Sequence, residues 1–400
     1  MVDPVLQAKS MGIYTIVTDW HELEKSPAKR VADEYWTISI MDYDQLVSKI
    51  KERKIDGILT GFTDVFLLPY QHICELAGLP CYATKQQFEQ TLDKAVFKSL
   101  CRMNGVDVVP QYDLSCFNKN VISASNKVII KPVDNSGSQG ICLCDSPSEF
   151  DSMLQYALSY SQKKAVVLEK YMECDDVSFE YKIQDGEIML SSICDRYIYK
   201  TNNSGSVTSK LIYPSKYIDD FMNGADEKVR SMFRNLGLRN GVLFMQAFTE
   251  EGRYYFYEMG YRLSGGRHYL FTENQNGTNA LKELIHFALT GSMSDNHLVD
   301  YVNPKFKDVC CQLSVLCKSE KIAKITGVEY IKSLPEVIDA TFYYDEGDTV
   351  GKEGTTYQIL ARIHIVAKCQ DDLERLIGTI NRSLVVLNEK GENIIVKLNH

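Results

Sequence analysis

Two short polar turns, each held between runs of strand-forming residues, constrain this chain most. Val177–Ile183 and Glu187–Ser192 flank Asp185-Gly186, and Gly241–Phe248 and Tyr254–Met259 flank Glu250-Glu251-Gly252. A Gly preceded by an acidic residue, set between apolar runs, is a hairpin signal, because such turns need positive φ. Two hairpins about sixty residues apart demand an antiparallel sheet in the middle of the chain. The alternation across the second one can be read in two ways. If the loop is centred on Gly252, Glu250 faces Tyr254 and Gln246 faces Glu258, with Val242, Phe244, Gln246 and Phe248 on one face and Tyr254, Phe256, Glu258 and Gly260 on its partner. If the loop is the two-residue Glu251-Gly252, the register slips by one and Gln246 and Glu258 point to opposite sides.

The first ninety residues read differently. Ile13–Thr18, Gly57–Thr60 and Gly78–Tyr82 are strand-like. They alternate with a helix opened by Asp42 that carries Leu46, Val47 and Ile50 on one face, and with a helix through His72 that ends at Gly78. That alternation predicts a small parallel α/β domain. The chain opens with a helix over Pro4–Met11, so the usual first strand is expected to be missing. Thr84–Gly105 predicts two helices, and Ser146-Pro-Ser-Glu149 predicts a capped helix start. From about 305 onward strand signals return, with one helix over Asp371–Ser383.

Composition narrows the function. A net charge of -9 with no basic stretch speaks against nucleic acid. No apolar run is long enough to span a membrane and no signal peptide is visible. Twelve cysteines spread over 400 residues without zinc-type spacing read as reduced thiols, which predicts a cytoplasmic protein. Between the domains lies Ile129-Ile-Lys-Pro-Val-Asp-Asn-Ser-Gly-Ser-Gln-Gly140, a strand ending at Lys131 and followed by a small polar loop. It matches neither the Walker nor the dinucleotide-binding glycine pattern. Backbone N–H groups of Ser136, Gly137, Ser138, Gln139 and Gly140 could still curl around anionic oxygens beside the lysine. An amide and a carboxylate facing each other at 246 and 258 would suit Mg²⁺ bound to phosphates.

Taken in order, these segments resemble the ATP-grasp superfamily of carboxylate–amine ligases, near biotin carboxylase, the carbamoyl-phosphate synthase halves and the L-amino-acid ligases. The resemblance rests on Leu92-Asp-Lys94, Ile130-Lys-Pro132, the 135–140 loop, Leu168-Glu-Lys-Tyr-Met172, Asp176-Val-Ser-Phe-Glu180 and Glu258-Met-Gly-Tyr-Arg262. It implies an α/β and α+β architecture: a parallel pre-ATP-grasp domain over 1–90, an ATP-grasp core over 91–302 with a lid at about 113–172, and a β-rich C-terminal domain over 303–400. It further implies that Lys94 and Lys131 contact the phosphates of ATP. Backbone groups near Lys170 and Met172, with Glu169, would hold the adenine edge, and Asp176 the ribose. Gln246 and Glu258 would bind Mg²⁺, and Arg262 would stabilise the reacting group. Lys210 is a further candidate for the phosphates, and Arg267 and His268 for an anionic substrate. The implied reaction joins a small-molecule carboxylate to an amine through an acyl phosphate; the alternative is an ATP-binding module without turnover. Relatives are often dimers, which leaves a homodimer open. One departure stands out: Gly260 replaces the asparagine usual in Glu-x-Asn-x-Arg, removing a further Mg²⁺ ligand.

Overall fold

The computed structural model describes residues 2–133, 140–201 and 206–397. Its centre is a sheet of eight antiparallel strands built around the two hairpins. The strands are β7 (Asp175–Gln184), β8 (Glu187–Lys200), β9 (Ser206–Tyr213), β10 (Gly241–Glu250), β11 (Arg253–Gly260), β12 (Val309–Leu316), β14 (Val337–Phe342) and β15 (Ile359–Ala367). Their order is β11-β10-β7-β8-β9-β12-β15-β14. Both turns are two residues long and use positive φ: +52° and +92° at Asp185 and Gly186, +51° and +74° at Glu251 and Gly252.

The sheet buries one face against the helices Ile218–Gly224 and Asp226–Asn235. Phe179, Phe221, Tyr254 and Phe256 meet there edge-to-face or tilted, with ring centroids 4.2–5.9 Å apart. Each such ring contributes about 1.5–3 kcal/mol on burial, so this face anchors the strands that carry the site on the other side. Tyr254 and Phe256 lie in the core, as an aromatic stripe is expected to; strict alternation would put Glu258 on their face, but the strand changes face between Phe256 and Glu258.

The lid is a four-stranded sheet with order β3-β6-β4-β5: β3 (Gln111–Tyr112), β4 (Val128–Pro132), β5 (Cys142–Cys144) and β6 (Val166–Lys170). Its own small core is formed by Ile122, Val128, Ile130, Cys142, Cys144, Phe150, Ala157 and Leu168. Alternation along β4 sends Val128 and Ile130 into that core and leaves Ile129 and Lys131 on the opposite, half-buried face. The helix behind the lid begins at Phe150 rather than at Pro147; Ser146–Glu149 forms the turn before it, with no side-chain cap.

At the N-terminus, β1 (Ile16–Thr18) and β2 (Glu34–Trp36) pair in parallel as a two-stranded sheet. The helix Tyr43–Arg53, capped by Asp42, packs Leu46, Val47 and Ile50 as expected. Gly57–Thr60 and Gly78–Tyr82 join no sheet. Their contacts go elsewhere. A Cβ at Gly57 would lie 2.3 Å from the carbonyl oxygen of Ala288, and the Tyr82 hydroxyl donates to the Tyr261 carbonyl at 3.0 Å. These segments therefore bridge the N-terminal core, where Ile58 and Leu79 pack, and the central domain.

The C-terminal strands are not a separate layer. β12 pairs with β9, so the central sheet runs unbroken across the boundary expected near 303. Outside it, β13 (Ile322–Thr326) pairs with β16 (Val385–Asn388), and the helix Gln370–Ser383 covers the C-terminal core. Among the described residues no helix is long and apolar enough to cross a membrane.

Candidate active site between lid and central sheet

The helix Lys94–Met103 starts with Asp93 as its cap, the carboxylate accepting from the N–H groups of Ala95 and Val96 at 2.8 and 3.1 Å. This fixes Lys94 at the first helical position and Lys98 one turn later. Lys98 is 3% exposed and forms an ion pair with Glu169, itself 3% exposed. The other oxygen of Glu169 accepts from Lys131 at 2.5 Å. Glu169, expected near the adenine edge, is thus held between two lysines. Burial, helped by the positive charges of Lys131, Arg102 and Lys94, pushes the Lys98 ammonium down to about 7. Burial and then Lys94 push Lys131 down to about 8, against the pull of the Glu258 carboxylate. Lys131 therefore feels both Lys94 and Glu258.

The floor of the cleft is the free face of the central sheet. Gln246 sits opposite Glu258, but neither simple register explains it. The two-residue turn pairs Glu250 with Arg253 and Phe248 with Tyr255. A bulge at Tyr257 then restores the pairing of Gln246 with Glu258. It also turns Tyr257 to the same side, where its ring stacks on Phe248 at 4.6 Å. A second bulge, at Ser191, puts Arg196 rather than Asp195 opposite Asp176. The Arg196 guanidinium donates to Asp176 (3.2 and 3.3 Å), to Gln246 Oε1 (2.7 Å) and to the Tyr257 hydroxyl, which itself donates to Asp176 at 2.9 Å. Asp176, expected at a ribose, is occupied by Arg196 and Tyr257. Burial raises its carboxyl above the usual range, an effect that Arg196 opposes.

At the far end of the cleft, Gly260 pairs with Phe244. A Cβ on Gly260 would come within 2.3 Å of the Phe244 ring. That ring therefore fills the space a side chain at 260 would need. The Arg262 guanidinium lies 5.0 Å over the same ring and grips both carboxylate oxygens of Asp64, Nη2 to Oδ2 at 2.9 Å. Beside it, Glu180 and His268 approach to 3.3 Å, both buried. Burial pushes the Glu180 carboxyl up to about 8 and the His268 imidazole down to about 3, leaving both neutral near pH 7.

Other expected residues lie elsewhere. Lys210 stands 4.5 Å over the Tyr197 ring. Tyr197 follows Arg196 and faces the opposite side of the sheet, and a bulge at Ser209 turns Lys210 to that side, away from the cleft. Arg267 pairs with Asp3 and Asp339, linking the first helix to β14, and His268 is buried, so neither is open to an anionic substrate. Lys170 donates its N–H to Pro110, and Met172 is buried at the crossing from lid to centre. There, Lys127, Lys170, Tyr171, Met172 and Glu250 line a cavity of about 170 Å³. Gly140, with φ of +74°, packs against Pro132 and Tyr160. Ser136, Gly137, Ser138 and Gln139 lie outside the described residues. Lys98, Arg196, Tyr257 and Asp64 were not foreseen. Only Lys98, one helical turn from Lys94, carried a readable signal.

No family model matches the chain. An L-amino acid ligase from Bacillus licheniformis superposes with a TM-score of 0.79, covering 97% of this chain and 96% of that one at 15% identity. The chain has the ATP-grasp fold. In sequence, this ATP-grasp chain is 19% identical over 302 residues to an L-arginine-specific L-amino acid ligase of Bacillus subtilis, across 73% of this chain and 70% of that protein. It is 25% identical over 143 residues to an ATP-grasp enzyme of Aspergillus fumigatus, a match that spans 34% of this chain and 24% of that protein.

Whether the cleft suits Mg²⁺ can be judged from its donors. Gln246 and Glu258 offer hard oxygens side by side, which fits one ion shared with phosphates. Among the described residues no group of three or more His, Cys, Asp or Glu is arranged to hold a metal unaided.

Proposed function

We propose that this ATP-grasp chain is an ATP-dependent ligase that activates a small-molecule carboxylate as an acyl phosphate and joins it to an amine, releasing ADP and phosphate. The observation that carries this reading is that Lys131, at the end of a lid strand, lies within electrostatic reach of both Lys94 and Glu258. The similarity to L-amino acid ligases in both sequence and fold supports it.

In this mechanism the protein supplies position and charge and no nucleophile. Lys94 and Lys131 neutralise the phosphates, with Glu169 and Lys98 holding Lys131 in place. The Phe248–Tyr257 stack and the residues from Lys170 to Met172 form the walls around the base. Mg²⁺, held by Glu258 and Gln246, would supply charge neutralisation at the phosphates. Arg262, oriented by Asp64, stabilises the charge that builds on the transferring phosphoryl group and the carboxylate. Neutral Glu180 and His268 donate or accept without adding charge beside it. The amine then displaces phosphate from the acyl carbon.

The test is ADP release on a panel of amino acids and other small carboxylates paired with amines, beside ADP binding by calorimetry. Carboxylate-dependent ADP release with a Lys131→Met variant inactive supports the reading. ADP binding with no release across the panel overturns ligase turnover.

A further inference from the structure

The charge arrangement around Gln246 has no counterpart in the sequence motifs. The Nη1 of Arg196 is shared by Asp176, Gln246 Oε1 and the Tyr257 hydroxyl, more acceptors than its two hydrogens can serve. The guanidinium is 12% exposed, and its charge also reaches Glu258. A cation of the protein's own therefore sits among the oxygens that would otherwise attract a metal. The remaining strand position that could add a donor, 260, has no side chain, and the Phe244 ring closes the space. That leaves one carboxylate, Glu258, uncommitted to an ion pair with Arg196. One carboxylate is too little for a hydrated dication by itself, but enough when phosphate oxygens complete the shell.

We propose that Arg196 is a resident cation of the Gln246–Glu258 site, so that the chain binds a divalent metal only together with nucleotide, and then as a single ion. The inference rests on the nucleotide-binding reading above and adds to it the number and order of ligands. Nucleotide and metal enter together, and Arg196 supplies the positive charge that a richer donor set would hand to a further ion.

Mn²⁺ titration of the full chain, followed by the electron paramagnetic resonance signal of free Mn²⁺, tests it with and without ADP. Expected are no binding below millimolar Mn²⁺ without ADP, and one Mn²⁺ per chain with it. Arg196→Met removes the competing charge, and nucleotide-free Mn²⁺ affinity rises about tenfold or more; Arg196→Lys leaves it unchanged. Because Arg196→Met strands a buried Asp176, the neutral pair Arg196→Gln with Asp176→Asn is measured alongside, with circular dichroism to confirm folding; it frees Gln246 without changing the net charge and should show a smaller rise in the same direction. Tight Mn²⁺ binding to the unaltered chain without ADP, two ions with ADP, or unchanged Mn²⁺ affinity in both charge-removing variants would overturn the proposal. Failure of ADP to bind under any condition sinks the nucleotide reading instead, and the nucleotide-free titrations still decide the role of Arg196.

Discussion

Asp64, in the short turn leading into the helix Leu67–Ala77, and Arg262, just past the end of β11, form a two-point ion pair across 198 residues. Asp64 is half-exposed and Arg262 is 11% exposed. The carboxylate thus fixes the plane of the guanidinium over the Phe244 ring. Asp64→Ala should leave ADP affinity within about twofold while lowering turnover about tenfold, as loss of an orienting partner does. Comparing the dissociation constant for ADP with kcat separates this outcome from general unfolding.

Glu169 has two lysine partners, and they should not be equivalent. Lys98→Met leaves the buried Glu169 with Lys131 alone and should destabilise the chain by about 1–3 kcal/mol in urea unfolding, below the cost of stripping a buried charge of every partner. Lys131→Met should act mainly on nucleotide affinity. Equal effects of both variants on ADP binding would contradict the division of roles.

Lys131 titrates near 8 in the free protein. A bound phosphate favours the charged form and raises that value. Binding therefore takes up protons as the pH approaches 8, and ADP affinity falls as the pH rises further, by at most about tenfold per unit. Calorimetry in buffers of different ionisation enthalpy at pH 8 should register proton uptake, and Lys131→Arg should abolish it.

Glu180 is held protonated near neutrality, with its carboxyl at about 8 against 4.5 for the ordinary side chain. A raised carboxyl value means the folded state binds the extra proton. Its stabilising contribution is complete below about pH 4.5 and is lost as the pH climbs toward 8. Glu180→Gln mimics the protonated form. The variant should gain on the parent in melting temperature between pH 5 and 8; a constant gap would refute the assignment.

Gly260→Ala places a Cβ against the Phe244 ring and should cost about 1–3 kcal/mol, as overpacking does. Phe244→Leu in the same chain should recover part of the loss. Additive losses, read from chemical denaturation, would show that the two positions do not share the space.

How much of this was legible beforehand divides along a physical line. Local chemistry was readable. Asp185-Gly186 could be read as a turn, the loop at Gly252 could be narrowed to two registers, and Asp42 could be read as the opening of a helix. The parallel domain was read too generously: strand-like Gly57–Thr60 and Gly78–Tyr82 found partners in a distant helix and in Tyr261, and no periodicity reports a partner.

The sequence by itself determined which residues turn, cap and alternate, since those depend on the backbone a few residues either side. Tertiary structure alone decided which side chains share the cleft. Bulges at Ser191, Ser209 and Tyr257 each shift a register by one, bringing Arg196 to Asp176, removing Lys210 and delivering Glu258 to Gln246. A single extra residue reverses the face of everything beyond it, and its place is chosen by how neighbouring strands pack, which no local pattern encodes.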